Sequence, residues 1–206
     1  MKRLLSLLPA LAAFATALLI AATATLGQTT EHKKPSNAEL QYTGKRKAFT
    51  LSLIPGVWEK RQQSLGASVE VSFIHRDGDV YAQVVSERTQ MSPESLKGIV
   101  LANARAVYNG IQVVTDEKRI VNGREVTALI YTGRTHYGSP ITTYCYLYAG
   151  KEGLFQVTTW APSNAFDDVR TDLEDFLNGF EVTAKKPTKE PIGEILRQSF
   201  VSKTSG

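Results

Sequence analysis

Few side chains in this sequence have the types and spacing needed for catalysis or metal binding. The sequence contains three histidines, His32, His75 and His136, and one cysteine, Cys145. No nucleophile-elbow, zinc-protease, phosphate-loop or EF-hand motif is present. One cysteine excludes an intramolecular disulfide framework and a thiolate-rich metal site. We therefore predict no catalytic residue, no metal site and no cofactor, and we expect a protein that is not an enzyme.

The segment 134–140 is the best candidate for a binding loop. It connects two predicted strands and contains Arg134, His136 and Tyr137, which place a cation, an imidazole and a phenol close together. The alternative, which the turn-forming composition favours, is an ordinary polar connection. We treat the three residues as candidate binding residues that would contact a partner.

A second candidate surface is a stripe of tyrosines on one predicted strand. Tyr144, Tyr146 and Tyr148 alternate along the strand and so lie on one face of a sheet. They could form a platform for a small ligand. Packing of their rings beneath a helix is the favoured alternative. Cys145 lies on the other face with Leu147, where burial as a small hydrophobe is favoured over a role as a nucleophile or an intermolecular disulfide partner.

Other polar and aromatic side chains have structural explanations. His75 ends a predicted strand beside a turn, which favours a surface position. Two groups of aspartates could attract a hard cation, but neither forms a calcium loop, and turn chemistry and helix solvation explain both. The groups are Asp77 with Asp79, and Asp167, Asp168 and Asp172 with Asp175. Trp58 and Trp160 follow strand ends and are predicted core anchors.

Charge and composition indicate an ordinary globular protein. Of 206 residues, 24 are Lys or Arg and 20 are Asp or Glu, which gives a net charge of +4. This balance argues against nucleic-acid binding, which needs a concentrated positive surface. Hydrophobic residues make up 42% and charged residues 21% of the chain, which argues against disorder.

The N-terminus has the features of an export signal. Met1-Lys2-Arg3 is positive, residues 4–27 carry no charge, and Ala22-Thr23-Ala24 fits a signal-peptidase site. We predict a signal peptide at 1–24, a flexible leader at 25–41, and a mature protein that is periplasmic or secreted with no integral membrane segment. The alternative is an uncleaved anchor, because about 20 apolar residues can span a bilayer.

Seven strands and two long helices are predicted within a single domain at residues 42–183. Asn122-Gly123 is the best hairpin turn, and the short connections around it require antiparallel pairing. Ser92 is the predicted N-cap of the first helix, and the second helix covers about 163–178. Residues 184–206 form a basic tail with a possible short helix. The predicted strands are 48–54, 69–75, 80–87, 111–119, 125–132, 141–149 and 154–160.

Both faces of several predicted strands carry apolar or aromatic side chains. Such a sheet needs cover on both sides, and the two helices can supply it. The predicted fold class is therefore α+β, as an α/β/α sandwich with a central antiparallel sheet of about seven strands and a helix on each face.

The order of these elements resembles the PsbP-like superfamily. The resemblance covers about residues 42–183 and includes Pro55-x-x-Trp58, Asp77-Gly78, Asn122-Gly123, Trp160 and the end of the last helix at 178–181. The superfamily includes an extrinsic subunit of the photosystem II oxygen-evolving complex, a Ran GTPase release factor and DcrB-like periplasmic proteins. The resemblance implies an α/β/α sandwich that works by docking to partners, and it supplies no metal-binding or partner-binding residues.

Together, these features predict an exported, non-enzymatic binding or scaffolding protein of the bacterial envelope. Its partner would be a protein or another envelope component. The alternative is a carrier that holds a small ligand on the tyrosine-lined face of the sheet.

Overall fold

The computed structural model describes residues 30–62 and 68–183, which contain eleven strands and two helices. The helices are α1 (Pro93–Val107) and α2 (Phe166–Asn178). The strands are β1 (Glu31–His32), β2 (Leu40–Thr43), β3 (Phe49–Leu53), β4 (Trp58–Lys60), β5 (Val69–His75), β6 (Gly78–Glu87), β7 (Asn109–Val121), β8 (Arg124–Arg134), β9 (Pro140–Gly150), β10 (Gly153–Pro162) and β11 (Phe180–Val182).

The strands form two sheets. The main sheet has the order β1-β7-β8-β9-β10-β6-β5-β4, and a smaller sheet has the order β11-β3-β2. Tight turns produce the antiparallel meander: Asn122 and Gly123 have φ of 46° and 75°, the left-handed geometry of a two-residue hairpin loop. Among the described strands, β1 pairs in parallel with β7, and the other pairings are antiparallel.

The two helices pack on opposite faces of the main sheet. Ser92 caps α1 by accepting a hydrogen bond from the Ser95 N–H at 3.1 Å, and Pro93 occupies the first turn. The buried stripe of α1 packs on Leu129, Cys145 and Leu147 on one face. The stripe of α2 belongs to a larger core on the other face. The predicted α+β sandwich with a helix on each face is therefore confirmed.

The α2 face has more cover than the sequence predicted. The strand predicted at 48–54 is β3, which pairs with β2 and β11 in the smaller sheet instead of joining the main one. Phe49 of β3 and Phe180 of β11 contact Phe155 of the main sheet, with ring centroids 5.7 and 5.6 Å apart. The smaller sheet and α2 thus close this face together.

Two segments predicted from the sequence, the signal peptide at 1–24 and the tail at 184–206, lie outside the described residues. Within the predicted leader, β1 pairs with Ile120 and Val121 of β7, and β2 begins at Leu40. Backbone pairing needs no apolar pattern, so these short strands leave little trace in the sequence. Within residues 30–62 and 68–183, neither helix has the length and hydrophobicity to cross a membrane.

Candidate functional site

The helix α1 covers only part of its face of the main sheet. It packs over β8 and β9, and its small core reaches β10 only at Leu154. Beyond that point a groove of about 380 Å³ lies between α1 and strands β10 and β6. We call it the α1 groove. Its lining residues are Gln83, Val100, Asn103, Ala104, Val107, Tyr108, Tyr131, Thr143, Gln156, Thr158 and Trp160.

An aromatic pair lies at the α1 groove, with Trp160 in its lining and Tyr81 beside it. Trp160 of β10 is directly opposite Tyr81 of β6, and their rings stack with centroids 5.6 Å apart and planes 23° apart. Both side chains are only half-buried. The pairing register therefore brings together two aromatic side chains that solvent partly reaches.

Uncharged polar groups flank this pair. Two residues along each strand from the aromatic pair, Thr158 lies opposite Gln83. Gln156 Nε2 donates a hydrogen bond to Thr158 Oγ1 at 3.0 Å. From α1, the exposed Asn103 and Val107 form the opposite wall. Among the residues that the structure describes, the lining includes no Asp, Glu, Lys or Arg. The groove can therefore make ring contacts and neutral hydrogen bonds.

Sequence reasoning missed this groove. Trp160 was predicted as a core anchor, and the structure corrects this, because α1 does not extend over the end of β10 that carries it. A signal was present: Gln156, Thr158 and Trp160 alternate with buried apolar or small residues. Such alternation is typical of a strand with one solvent-facing side.

The predicted binding loop lies at the same end of the main sheet as Trp160. Arg134 pairs with Asn109, which follows α1, and its Nη1 donates to the Gly138 carbonyl at 2.9 Å. The ring centroids of His136 and Tyr137 lie 3.6 Å apart, and Tyr137 is 86% exposed. The structure thus brings the three predicted residues together in one exposed loop, and their role in binding stays a prediction.

The predicted tyrosine face is packed within the core beneath α2. Tyr144 and Tyr146 are fully buried and Tyr148 nearly so. Their hydroxyls are used internally: Arg119 Nη1 donates to Tyr144 at 2.5 Å, and Tyr146 donates to Asn178 at 2.9 Å. A ligand could contact Tyr144 or Tyr146 only if α2 moved away. This packing gives no support to a ligand platform on that face.

Tyr148 marks the edge of the same core. Its hydroxyl donates to Glu152 Oε2 at 2.6 Å, and Glu152 also pairs with Arg124 at 3.3 Å. Burial and the Glu152 carboxylate raise the pKa of Tyr148 to about 12, because both disfavour the negatively charged phenolate. The ion pair between Glu152 and Arg124 links the β9–β10 turn to the start of β8.

Cys145 lies on the α1 face, fully buried among apolar side chains. Burial raises the pKa of its thiol, which disfavours the reactive thiolate. We expect no labelling of the folded protein by Ellman's reagent at mildly alkaline pH. Complete labelling should follow unfolding in guanidinium chloride, which serves as the control. Rapid labelling under native conditions would show that the thiol is accessible.

His75 is buried, not at the surface as its position in the sequence suggested. Its Nδ1 accepts the Asp77 N–H at 3.2 Å, which places the proton on Nε2, and Nε2 donates to Asp172 Oδ2 of α2 at 3.0 Å. The ring also packs edge-on against Trp58 at 5.0 Å. Since Asp172 is distant in sequence, strand and turn signals could not reveal this contact. His75 joins the β5–β6 hairpin to α2.

His75→Ala should lower the free energy of unfolding by about 2–3 kcal/mol, because it removes a buried ring and both of its hydrogen bonds. The matched control is His136→Ala, in the exposed loop, which should change the free energy of unfolding by less than about 0.5 kcal/mol. Urea denaturation followed by circular dichroism would measure both. Equal effects of the two variants would contradict the structural role of His75.

Comparisons with known proteins rest on structure, because no family model and no curated protein matches the sequence. CyanoP, the cyanobacterial PsbP from Synechocystis sp. PCC 6803, is 12% identical with a TM-score of 0.52, over 70% of this chain and 92% of that one. The Ran-binding protein Mog1p from Saccharomyces cerevisiae is 10% identical with a TM-score of 0.50, over 69% and 94%. The chain therefore has a PsbP-like fold, which confirms the resemblance seen in the sequence.

Proposed function

We propose that this protein is an exported, non-enzymatic binding module of the bacterial envelope and that the α1 groove is its binding surface. The observation that supports the proposal is the unequal cover of the main sheet. One face is closed by α2 and a second sheet, while the other leaves aromatic and amide side chains half-exposed beside α1. Concave sites of this size with few convergent polar groups are typical of ligand-binding surfaces.

The potential catalytic groups have structural environments that favour binding over catalysis. Cys145 is buried with a raised thiol pKa, and His75 is held between Asp172 and the backbone of Asp77. Within the described ranges, no three His, Cys, Asp or Glu side chains lie close enough to share a metal ion. Mog1p, which has the same fold, is a Ran-binding protein, and a role in binding is in keeping with that similarity.

Export is inferred from the N-terminal segment 1–24, with its positive start, uncharged run and small residues at the predicted cleavage site. N-terminal sequencing of the chain recovered from the periplasm of a bacterial host should begin at residue 25. Retention of residue 1 in a membrane fraction would show an anchor instead.

The loop at 134–139 supplies a second part of the proposed surface. Arg134 and Pro140 border a hollow of about 410 Å³ at the end of the main sheet where α1 also ends. His136 and Tyr137 are exposed there. We infer that a partner seated in the α1 groove also contacts this loop.

Two exposed valines provide a test with a matched control. Val107 is 63% exposed and lines the α1 groove, whereas Val114 is 64% exposed and lies outside it. Val107→Lys introduces a charge into a neutral groove, and Val114→Lys introduces the same charge elsewhere. In co-sedimentation with isolated bacterial envelopes, we expect Val107→Lys to weaken retention at least about tenfold. Val114→Lys should behave like the wild type. Equal retention of both variants, or no retention of the wild type, would contradict the proposal.

A further inference from the structure

We propose that the α1 groove binds an uncharged carbohydrate chain. This inference rests on the proposed function, since it names the ligand class of the same groove. Three features support it: a lining without charge, an accessible aromatic pair, and side-chain amides and hydroxyls on either side of that pair.

The lack of charge in the lining selects a neutral ligand. A nucleotide, an anionic lipid headgroup or an acidic peptide would bring a charge into a groove lined by no Lys or Arg. Removing an unpaired charge from water is costly. The cation at the outer margin, Arg61, is held over the ring of Tyr81 with 5.5 Å between the guanidinium carbon and the ring centroid. Arg61 is therefore already engaged by an aromatic ring.

The aromatic pair and the amides match the two kinds of surface on a sugar ring. The C–H face of a pyranose is apolar and packs on a flat aromatic ring, such as that of Trp160, which Tyr81 supports by stacking. The hydroxyls at the ring's edge need groups that both donate and accept. Gln83 and Asn103 carry such amides, on opposite sides of the groove. The volume of about 380 Å³ is within the range of small-ligand sites.

A peptide fits the groove less well. One way for an extended peptide to bind is to pair with a free strand edge. Here β10 pairs with β9 and β6, and β6 pairs with β10 and β5, so the groove offers no free strand edge. A bound helix would need a continuous apolar floor, whereas Gln83 and Gln156 interrupt the apolar side chains of this groove. The side chains of the groove therefore favour a carbohydrate.

Isothermal titration of the full chain with maltohexaose, cellohexaose and hexa-N-acetylchitohexaose, which are all uncharged, tests the inference. We expect at least one of these oligosaccharides to bind, and Trp160→Ala and Gln83→Ala each to weaken that binding at least about tenfold. Two variants are used because the large Trp160 side chain also supports packing. Val114→Lys should leave the affinity unchanged. A sulfated heparin hexasaccharide should not bind.

The possible results distinguish failure of the carbohydrate inference from failure of the proposed binding function. If none of the three oligosaccharides binds while Val107→Lys still reduces retention on envelopes, the carbohydrate inference is wrong and the proposed function stands. If an uncharged Gly-Ser-Thr-Gln peptide binds and Gln83→Ala abolishes its binding, a protein partner replaces the carbohydrate. Oligosaccharide binding that is unaffected by both groove variants would also overturn the inference. If neither ligand binds and Val107→Lys has no effect on retention, both proposals fail.

Discussion

Replacing Asn122 with Ala should lower the free energy of unfolding by about 3–4 kcal/mol, a large fraction of a domain's stability. Asn122 Nδ2 donates to the carbonyls of Asn178 and Phe180, each at 2.8 Å, and Asn122 Oδ1 accepts the Lys34 N–H at 3.0 Å. One side chain thus joins the β7–β8 turn to the end of α2, to β11 and to the residues after β1. Alanine removes these bonds and also disfavours φ of 46°.

Asn122→Gly separates the two contributions. Glycine tolerates the positive φ but lacks the side chain, so it should cost about 2 kcal/mol, mainly from the lost hydrogen bonds. Guanidinium denaturation of both variants measures the difference. If both variants stay within about 0.5 kcal/mol of the wild type, the Asn122 hydrogen bonds do not stabilise the fold.

Replacing Gly179 with Ala should destabilise the protein by about 3 kcal/mol through overpacking. Gly179 has φ of −68°, which any residue can adopt, so backbone conformation does not explain the glycine. Its carbonyl accepts the Ser52 N–H of β3 at 2.9 Å, and a Cβ at this position would overlap the carbonyl oxygen of Ser52. A methyl group would force apart α2 and the smaller sheet.

Gly98→Ala is the matched control. Gly98 lies within α1, and within the described ranges no atom outside its own helix lies within 4 Å of the position of an added Cβ. Alanine there should raise stability by about 0.5–1 kcal/mol, because it is the better helix former. Thermal denaturation should therefore shift in opposite directions for the two variants. A loss of stability in both, or in neither, would contradict the role assigned to Gly179.

The elements that were predicted correctly depend on local signals. The Asn122-Gly123 turn and the Ser92 cap need only a few neighbouring residues, and the structure shows both. The smaller sheet was missed because β11 pairs with β3 from a distant part of the chain, and because β2 begins within the segment predicted to be a flexible leader. The burial of His75 was missed for the same reason, since its partner Asp172 lies 97 residues away.

In the candidate site, too, local features could be predicted from the sequence, whereas features that depend on distant contacts could not. Arg134, His136 and Tyr137 are neighbours in sequence, and the structure places them in one exposed loop. The α1 groove depends instead on how far α1 extends across the main sheet. Sequence periodicity shows which face of a helix is buried, but it does not show which strands the helix covers. Trp160 was therefore assigned to the core, although it is half-exposed.

The asymmetry of the two faces explains how a stable fold can keep the proposed binding surface. On the α2 face, aromatic contacts such as Trp58 with Phe176, 4.8 Å between centroids, fill the interior. On the α1 face, a small core of α1, β8 and β9 secures the helix. The remaining strands are already held by their pairing and by the opposite core. Trp160 of β10 and Tyr81 of β6, which face the α1 side, are therefore left partly exposed beside the helix.

Hydroxyl-radical footprinting of the protein bound to envelopes tests the binding role of the α1 groove most directly. The account predicts that oxidation of Trp160 and Tyr81 falls on binding, while oxidation of Leu40, which is 51% exposed and lies in β2, stays constant. Unchanged oxidation of Trp160 and Tyr81 in the bound protein would contradict it.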